Sequence, residues 1–175
     1  DITNIPLLRK VASKNKPIIL STGAANKKEI NIALKTLNNS GVPDNNIILL
    51  HCILNYPTSY KNANLLMIKD LIKSYPSHLI GYSDHTLPNY EMNCPIAAFI
   101  IGAVVIEKHF THNKNLEGND HYHAMDVNDL KKLVQNIDMF FDLLGESEKK
   151  PLESEEVSRL NARRSIVWKN YKKEG

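Results

Sequence analysis

The chain has 175 residues, of which 42% are hydrophobic, and a formal net charge of +3. This length predicts one domain with a substantial core. Because lysines and arginines are interspersed with acidic residues and crowd only in the tail, the sequence does not indicate a nucleic-acid-binding surface. It has no apolar stretch of the roughly twenty residues needed to span a bilayer and no secretory leader, so we expect no membrane partner.

The two cysteines bear on the cellular setting. Cys52 and Cys94 lie far apart and belong to no CxxC pair. This spacing argues against a structural zinc knuckle and gives no support to a disulfide framework. We therefore expect a reducing, cytoplasmic setting.

Apolar patterns predict alternating helices and strands along the chain. A short helix at 7–12 precedes the first strand, which suggests that the chain enters a series of βα units in its middle. The predicted order continues with strand 17–20, helix 27–37, strand 47–52, helix 63–74, a strand from 79, helix 94–101, strand 103–106 and helix 127–144, which Gly145 ends. Four strand–helix repeats of about thirty residues define a parallel α/β architecture.

Two parallel architectures fit this order, an open doubly wound sheet and part of a (β/α)8 barrel. A dinucleotide-binding sheet would have GxGxxG after its first strand, and Ser21-Thr22-Gly23-Ala24-Ala25 does not supply it. The active site of a barrel is instead assembled from the ends of several strands. Polar residues of this kind follow every predicted strand: Ser21 and Thr22, His51, Ser83 to Thr86, and Glu107 to Thr111. This distribution favours the barrel.

Two histidines each follow an apolar run. They occur in Ile80-Gly81-Tyr82-Ser83-Asp84-His85-Thr86 and in Val104-Val105-Ile106-Glu107-Lys108-His109-Phe110-Thr111. Either histidine alone could be a hydrogen-bonded core or surface residue. The repeated pattern, with Asp84 and Glu107 as nearby carboxylates, predicts a site for a divalent cation such as manganese, magnesium or zinc.

Further short motifs occur in order and at suitable spacing along the chain. They are Lys16-Pro17-Ile18-Ile19-Leu20-Ser21-Thr22-Gly23, Leu50-His51-Cys52 with Tyr56-Pro57-Thr58, Gly81 to Thr86, Ile106 to Thr111, Gly118-Asn119-Asp120-His121 and Ala162-Arg163-Arg164-Ser165. From Asp1 to about Val167 the chain thereby resembles the sialic acid synthase family, which includes N-acetylneuraminate, legionaminate and pseudaminate synthases. The resemblance implies a (β/α)8 TIM barrel, with about four βα units, its second half, at 1–146. It also implies a linker at 147–175 that leads to an antifreeze-like domain outside this chain.

The resemblance further implies a reaction of sialic acid-type surface carbohydrate biosynthesis. Phosphoenolpyruvate would condense with an N-acylated amino sugar, N-acetylmannosamine or a related deoxy-diacetamido hexose, to give a nine-carbon 2-keto sugar acid and phosphate. The metal ligands would be His85 and His109. Mn²⁺ is the expected ion, with Mg²⁺ or Co²⁺ as alternatives, and the full-length enzyme would be a homodimer. Because the family's other substrate-binding residues belong to the first half of the barrel, we expect this half alone to be inactive.

Family positions also imply roles for individual side chains. Glu107 and Asp120 match acids with electrostatic and proton-transfer roles, and the sequence does not decide which one is the base. Ser21 and Ser83 match hydroxyls that hold the phosphate or carboxylate of phosphoenolpyruvate.

The loop after the second strand supplies the remaining matches. Tyr56 corresponds to an aromatic residue that lines the sugar pocket. Some members carry a phosphoenolpyruvate-binding asparagine two residues before this tyrosine. Here Leu54 stands at that position, with Asn55 beside it.

Simpler interpretations stay open for several of these residues. Ser21 and Thr22 could cap the following helix, and Tyr56-Pro57 could only pack its loop. His121 and His123 could extend the metal site, but their polar loop favours solvation or support of the ligands from behind. Two rival functions also remain, a metal-dependent hydrolase of barrel type and a non-catalytic carbohydrate-binding half-barrel.

Overall fold

The computed structural model describes residues 1–89, 91–118, 120–164 and 166. Asn119 and Ser165 of the motifs above, and the predicted linker's end at 167–175, lie outside the described residues. Contacts separate the chain between Phe140 and Phe141 into two compact units. The assignment of 1–146 to a barrel half and of 147–175 to a linker stays a prediction.

The first unit alternates helices and strands in the predicted order. Its elements are α1 (Ile5–Ala12), β1 (Ile18–Ser21), α2 (Lys27–Asn39), β2 (Ile47–Cys52), α3 (Leu66–Ser74), β3 (Leu79–Asp84), α4 (Asn93–Ile101), β4 (Ile106–Lys108) and α5 (Val127–Leu144), which runs past Phe140. The second unit contains α6 (Glu156–Ala162) after a 3-10 turn at Glu153–Glu155.

The four strands form one parallel sheet in the order β1-β2-β3-β4. In a doubly wound sheet the strand order reverses at a switch point, whereas in a (β/α)8 barrel each strand pairs with the next along the chain. The chain therefore folds as a curled half-barrel of TIM type, and the predicted fold class is confirmed.

The cysteines and the helices bear on two further expectations from the sequence. Both cysteines are free and buried, in agreement with the prediction of no disulfide framework. Within the described part of the chain, no helix combines the length and the apolar character that crossing a membrane requires.

The start of α2 is fixed by its own capping residues. The Asn26 side chain accepts backbone hydrogen bonds at the first turn, and the Glu29 carboxylate accepts one from the Asn26 backbone, which completes a capping box. The alternative that Ser21 or Thr22 caps this helix is therefore wrong. Thr22 instead donates its hydroxyl to the Leu50 carbonyl, at 2.8 Å.

The sheet has two contrasting sides because successive strand residues point in opposite directions. On the helix-facing side, buried strand residues pack into one core with the helices: Ile18, Leu20, Ile47, Leu49, Ile80 and Tyr82. On the concave side, Ile19, Ile48 and Leu79 form an aligned row. Ile19 is 54% exposed and Leu79 is 56% exposed. The concave side, which is the packed interior of a whole barrel, is open in this chain.

Strands β3 and β4 include polar residues that lie beyond the apolar runs from which the strands were predicted. The fourth strand is Ile106–Lys108 rather than 103–106, and β3 continues through Asp84. The reason is that Asp84 and Lys108 both fall on the helix-facing side, where they form an ion pair of 2.8 Å with side chains at most 1% exposed. The expectation that Asp84 accompanies His85 in a metal site is thus wrong, because this carboxylate is held by Lys108 on the other side of the sheet.

Candidate active site

Neighbouring strands align polar side chains on the concave side. Cys52 is paired with Ser83, and Ser83 with Glu107. The Ser83 hydroxyl donates to Glu107 Oε1 at 2.7 Å. His85 and His109 each follow two residues later, so the period of two places them on this same side. Their rings meet edge to face, with centroids 5.3 Å apart. The structure therefore brings together the two predicted metal ligands.

His85 is oriented by a backbone contact. Its Nδ1 lies 2.7 Å from the Ile53 carbonyl oxygen. Because a carbonyl can only accept, Nδ1 carries the hydrogen and Nε2 keeps a free lone pair, which is the usual arrangement of a metal-binding histidine. Cys52 Sγ lies 3.9 Å from the same Nδ1. Burial raises the pKa of the Cys52 thiol.

Tyr56 covers the histidines. Its ring centroid lies 4.1 Å from that of His85, 5.6 Å from that of His109 and 6.1 Å from that of His123. Burial raises the pKa of Tyr56, so its hydroxyl remains a neutral hydrogen-bond donor near pH 7. The tyrosine therefore does more than pack its own loop, because it forms one wall of the histidine group.

The loop after β4 adds two groups to His109. Asp120 Oδ1 lies 3.9 Å from His109 Nδ1 and 3.5 Å from His123 Nε2. One potential ligand atom from each of His109, Asp120 and His123 lies within 4.8 Å of the others. His85 is outside this group of three but adjacent to it. A cleft of about 290 Å³ borders the same loop and is lined by His109, Phe110, Thr111, Asp120, His121 and Ala124.

His121 and His123 differ although they share one 3-10 turn. His121 is half-buried, and its Nδ1 lies 2.8 Å from the Thr111 hydroxyl. His123 is only 1% exposed, which excludes the solvated position that its polar loop favours. Burial lowers the pKa of His123, and the neighbouring His109 lowers it further. The neutral form of His123 is therefore favoured, and neutral imidazole is the form that binds metals.

Two predicted substrate contacts lie further out. Ser21 ends β1, two strands away from Ser83 in the sheet, and is half-buried. Asn55 is exposed, and its backbone N–H donates to the Ile53 carbonyl at 2.9 Å. In the described contacts, neither side chain touches the histidine group. Their predicted roles in binding phosphoenolpyruvate stay predictions.

The residues of this site fit a divalent cation. His85 presents a free Nε2, and His123 has two buried ring nitrogens without a hydrogen-bond partner in the described structure. Asp120 is an accessible carboxylate between two imidazoles. Imidazole and carboxylate together suit manganese, cobalt, iron and zinc ions.

Comparison with known proteins identifies the family. The NeuB family model matches residues 1–149. The chain belongs to the NeuB family. As a NeuB family member, it is 49% identical over its whole length to protein MJ1065 of Methanocaldococcus jannaschii, of which it covers 50%. It is 42% identical over 170 residues, 95% of this chain and 46% of the relative, to the N,N'-diacetyllegionaminic acid synthase of Legionella pneumophila. This NeuB chain spans about half the length of the curated relatives that it matches.

A solved structure supports the same assignment. The N-acetylneuraminic acid (sialic acid) synthetase of Leptospira borgpetersenii superposes on this NeuB chain with a TM-score of 0.77 and 36% identity, over 94% of this chain and 56% of that one. Relatives of the chain thus include synthases of sialic, legionaminic and pseudaminic acids. The resemblance to the sialic acid synthase family is confirmed.

Sequence patterns did not reveal every notable residue of the site. The burial of His123 depends on how its loop closes against β4. Its polar neighbours in sequence, His121 and Tyr122, instead suggest an exposed side chain. The buried partner of Asp84 was also missed, although one signal was available. Lys108 stands between two concave residues, Glu107 and His109, and a period of two assigns it to the helix-facing side.

Proposed function

We propose that the whole protein condenses phosphoenolpyruvate with an N-acylated amino sugar, giving a nine-carbon 2-keto sugar acid and phosphate. This chain would supply one half of the active site. The observation that carries the proposal is the convergence of His85, His109, Glu107 and Tyr56 on the concave side, at the carboxyl end of the strands. In barrel enzymes the active site lies at this end. The synthase names of the relatives support the reaction class.

We assign a divalent ion to His85 and His109, with Mn²⁺ first and Mg²⁺ or Co²⁺ as alternatives. The hydrogen bond from His85 Nδ1 to the Ile53 carbonyl supports this role, since it holds Nε2 as the ligand atom. When bound, such an ion supplies a Lewis acid that polarises the acceptor aldehyde.

Glu107 and Asp120 are assigned to charge stabilisation and proton transfer. Ser83 holds one oxygen of Glu107, and the residue is exposed, so its second oxygen can exchange a proton with water. A fixed carboxylate can also stabilise positive charge that develops on the former enol carbon. Asp120 is exposed and lies beside His109 and His123. Glu107 is therefore the better placed of the two to act as a base, because the described contacts pair its second oxygen with no imidazole.

Substrate contacts are assigned to the surrounding polar side chains. Ser83 and Ser21 would hold the phosphate or carboxylate of phosphoenolpyruvate, with Asn55 as a further contact from the loop after β2. Tyr56 would line the sugar pocket, since its neutral hydroxyl can donate to an acyl or hydroxyl oxygen while its ring shields the histidines.

The chain alone is expected to be inactive. The concave side that should enclose the substrates is open, as the exposure of Ile19 and Leu79 indicates. Phosphate and sugar would there meet bulk water instead of a second wall. We propose that the full-length protein provides this wall and is a homodimer, as the family resemblance implies.

The test is a turnover assay of the complete protein with Mn²⁺, phosphoenolpyruvate and either N-acetylmannosamine or a deoxy-diacetamido hexose. We expect phosphate and keto acid to appear in equal amounts, and only when both substrates are present. Hydrolysis of a sugar derivative without phosphoenolpyruvate would instead support the metal-dependent hydrolase. Full activity of His85→Ala would support a non-catalytic role of the metal site.

A further inference from the structure

His123 is a buried polar group that the proposed reaction does not use. Its side chain is sealed from solvent, yet neither Nδ1 nor Nε2 has a hydrogen-bond partner in the described structure. The contact of 3.5 Å from Nε2 to Asp120 Oδ1 is short enough for an ionic interaction but long for a hydrogen bond. An unsatisfied buried polar group costs roughly 1–3 kcal/mol. A bound ion would give one of these two nitrogens a partner.

The chain holds His123 beside His109 through backbone contacts. The Met125 N–H donates to the His109 carbonyl, and the Thr111 N–H donates to the Met125 carbonyl, both at 2.8 Å. A bridge between Phe110 and Met125 completes this parallel pairing. The loop between these residues is thereby closed against the end of β4. As a result, the rings of His109 and His123 lie with centroids 5.1 Å apart.

The spacing of the ligand atoms suits coordination. Potential ligand atoms of His109, Asp120 and His123 lie within 4.8 Å of one another. Two nitrogen ligands on a tetrahedral ion with bonds of about 2.0–2.1 Å lie about 3.4 Å apart. Small rotations of exposed Asp120 and half-buried His109 can close this difference, and His123 can keep its buried position.

We infer that His123 is a third imidazole ligand of the metal assigned to His85 and His109. This inference rests on the proposed function and deepens it, because it names the class of ion that the site prefers. Each added imidazole favours borderline ions such as Co²⁺ and Zn²⁺ over the hard ion Mg²⁺, which prefers oxygen ligands and keeps its water. The site should therefore bind Co²⁺ far more tightly than Mg²⁺, and His123 should contribute to that preference.

The test is titration of the complete protein with CoCl₂ and with MgCl₂ by calorimetry, for the unsubstituted protein and for His123→Ala. We expect His123→Ala to weaken Co²⁺ binding at least about 10-fold. Loss of a residue that only hydrogen-bonds a metal ligand already lowers metal affinity by about this factor, and loss of a ligand should lower it at least as much. Mg²⁺ binding should change much less. His112→Ala is the matched control, since His112 is an exposed imidazole of the same loop.

Two outcomes separate this inference from the proposed function. If His109→Ala abolishes Co²⁺ binding and His123→Ala leaves it unchanged, the third ligand is overturned and the metal site stands. If both variants bind Co²⁺ like the unsubstituted protein, the metal site of the proposed function is overturned as well.

A second measurement covers the case in which His123→Ala fails to fold. Pulsed electron paramagnetic resonance of the unsubstituted protein loaded with Cu²⁺ counts the imidazoles bound to the ion. Three coordinated imidazoles would support the inference. Two would overturn it.

Discussion

Both sides of the sheet carry polar and charged residues, but these residues have different roles on each side. On the concave side, Ser83 donates to Glu107, and the ring of buried His85 lies against that of half-buried His109. In sequence, Asp84 lies between Ser83 and His85, and Lys108 lies between Glu107 and His109. On the helix-facing side, Asp84 and Lys108 form an ion pair that is almost fully buried.

The buried pair belongs to a closed network. Asp84 accepts hydrogen bonds from the Tyr82 hydroxyl at 3.0 Å and from the Thr86 backbone at 2.8 Å, and Lys108 also donates to the Thr86 carbonyl. Both carboxylate oxygens of Asp84 and the Lys108 ammonium thus have protein partners. A charged residue that adjoins a site histidine in sequence can therefore belong entirely to the scaffold.

The largest expected effect is on the stability of the helix-facing side. Lys108→Met should lower the free energy of unfolding by about 3–5 kcal/mol, because it leaves the Asp84 carboxylate buried without its cation. Urea unfolding of the complete protein measures this change. The double variant Lys108→Met with Asp84→Asn should recover part of the loss. A loss below about 1 kcal/mol in the single variant would contradict a structural role for the pair.

Substitution of His109, the concave-side neighbour of Lys108, should impair activity and change stability little. His109→Ala should reduce turnover at least about 100-fold, because it removes a ligand of the proposed Lewis acid. It should also abolish Mn²⁺ binding, and its unfolding free energy should change by less than about 1 kcal/mol. Metal analysis, turnover and urea unfolding test the three parts. Unchanged metal content would contradict the assignment of His109.

Ser83→Ala should have a smaller effect on the same side. It removes the donor to Glu107 and a proposed contact to phosphoenolpyruvate, so kcat/KM for phosphoenolpyruvate should fall about 10-fold, which corresponds to about 1.4 kcal/mol. Ser59→Ala, at an exposed serine of the loop after β2, is the control. Equal kinetics of the two variants would show that the hydrogen bond between Ser83 and Glu107 has no part in the reaction.

The smallest effect concerns a histidine of the helix-facing side. Burial lowers the pKa of His51, whose Nε2 lies 2.8 Å from the Ala63 carbonyl. As the pH falls below about 6.5, the unfolded chain takes up a proton here that the folded chain does not. The stability that neutral His51 provides is therefore complete above that pH and is lost as the pH falls towards the lower folded pKa.

The expected slope from this one group is below about 1.4 kcal/mol per pH unit. Urea unfolding between pH 7 and pH 5 should show a shallower dependence in His51→Gln than in the unsubstituted protein. His112→Gln, at an exposed histidine, should leave the dependence as it is. An unchanged slope in His51→Gln would assign the pH dependence to other groups.

The apolar pattern was sufficient for the order and type of the main elements. It predicted α5 at its observed bounds, Val127–Leu144, and placed the four strands in the right order. It was wrong for the start of β4 and for the extent of β3, because polar residues that pair on the buried side can continue a strand. Those strands thus extend into Asp84 and Lys108, where hydropathy alone suggests a loop.

The sequence by itself determined the βα order, the family and the identity of the two histidines that follow β3 and β4. These depend on local patterns and on motifs that are contiguous in the chain. Only the tertiary structure decided that Asp84 pairs with Lys108 and that His123 is buried beside His109. The physical reason is that the partner of Asp84 lies on the next strand, and the burial of His123 follows from a loop closed by hydrogen bonds between His109, Thr111 and Met125.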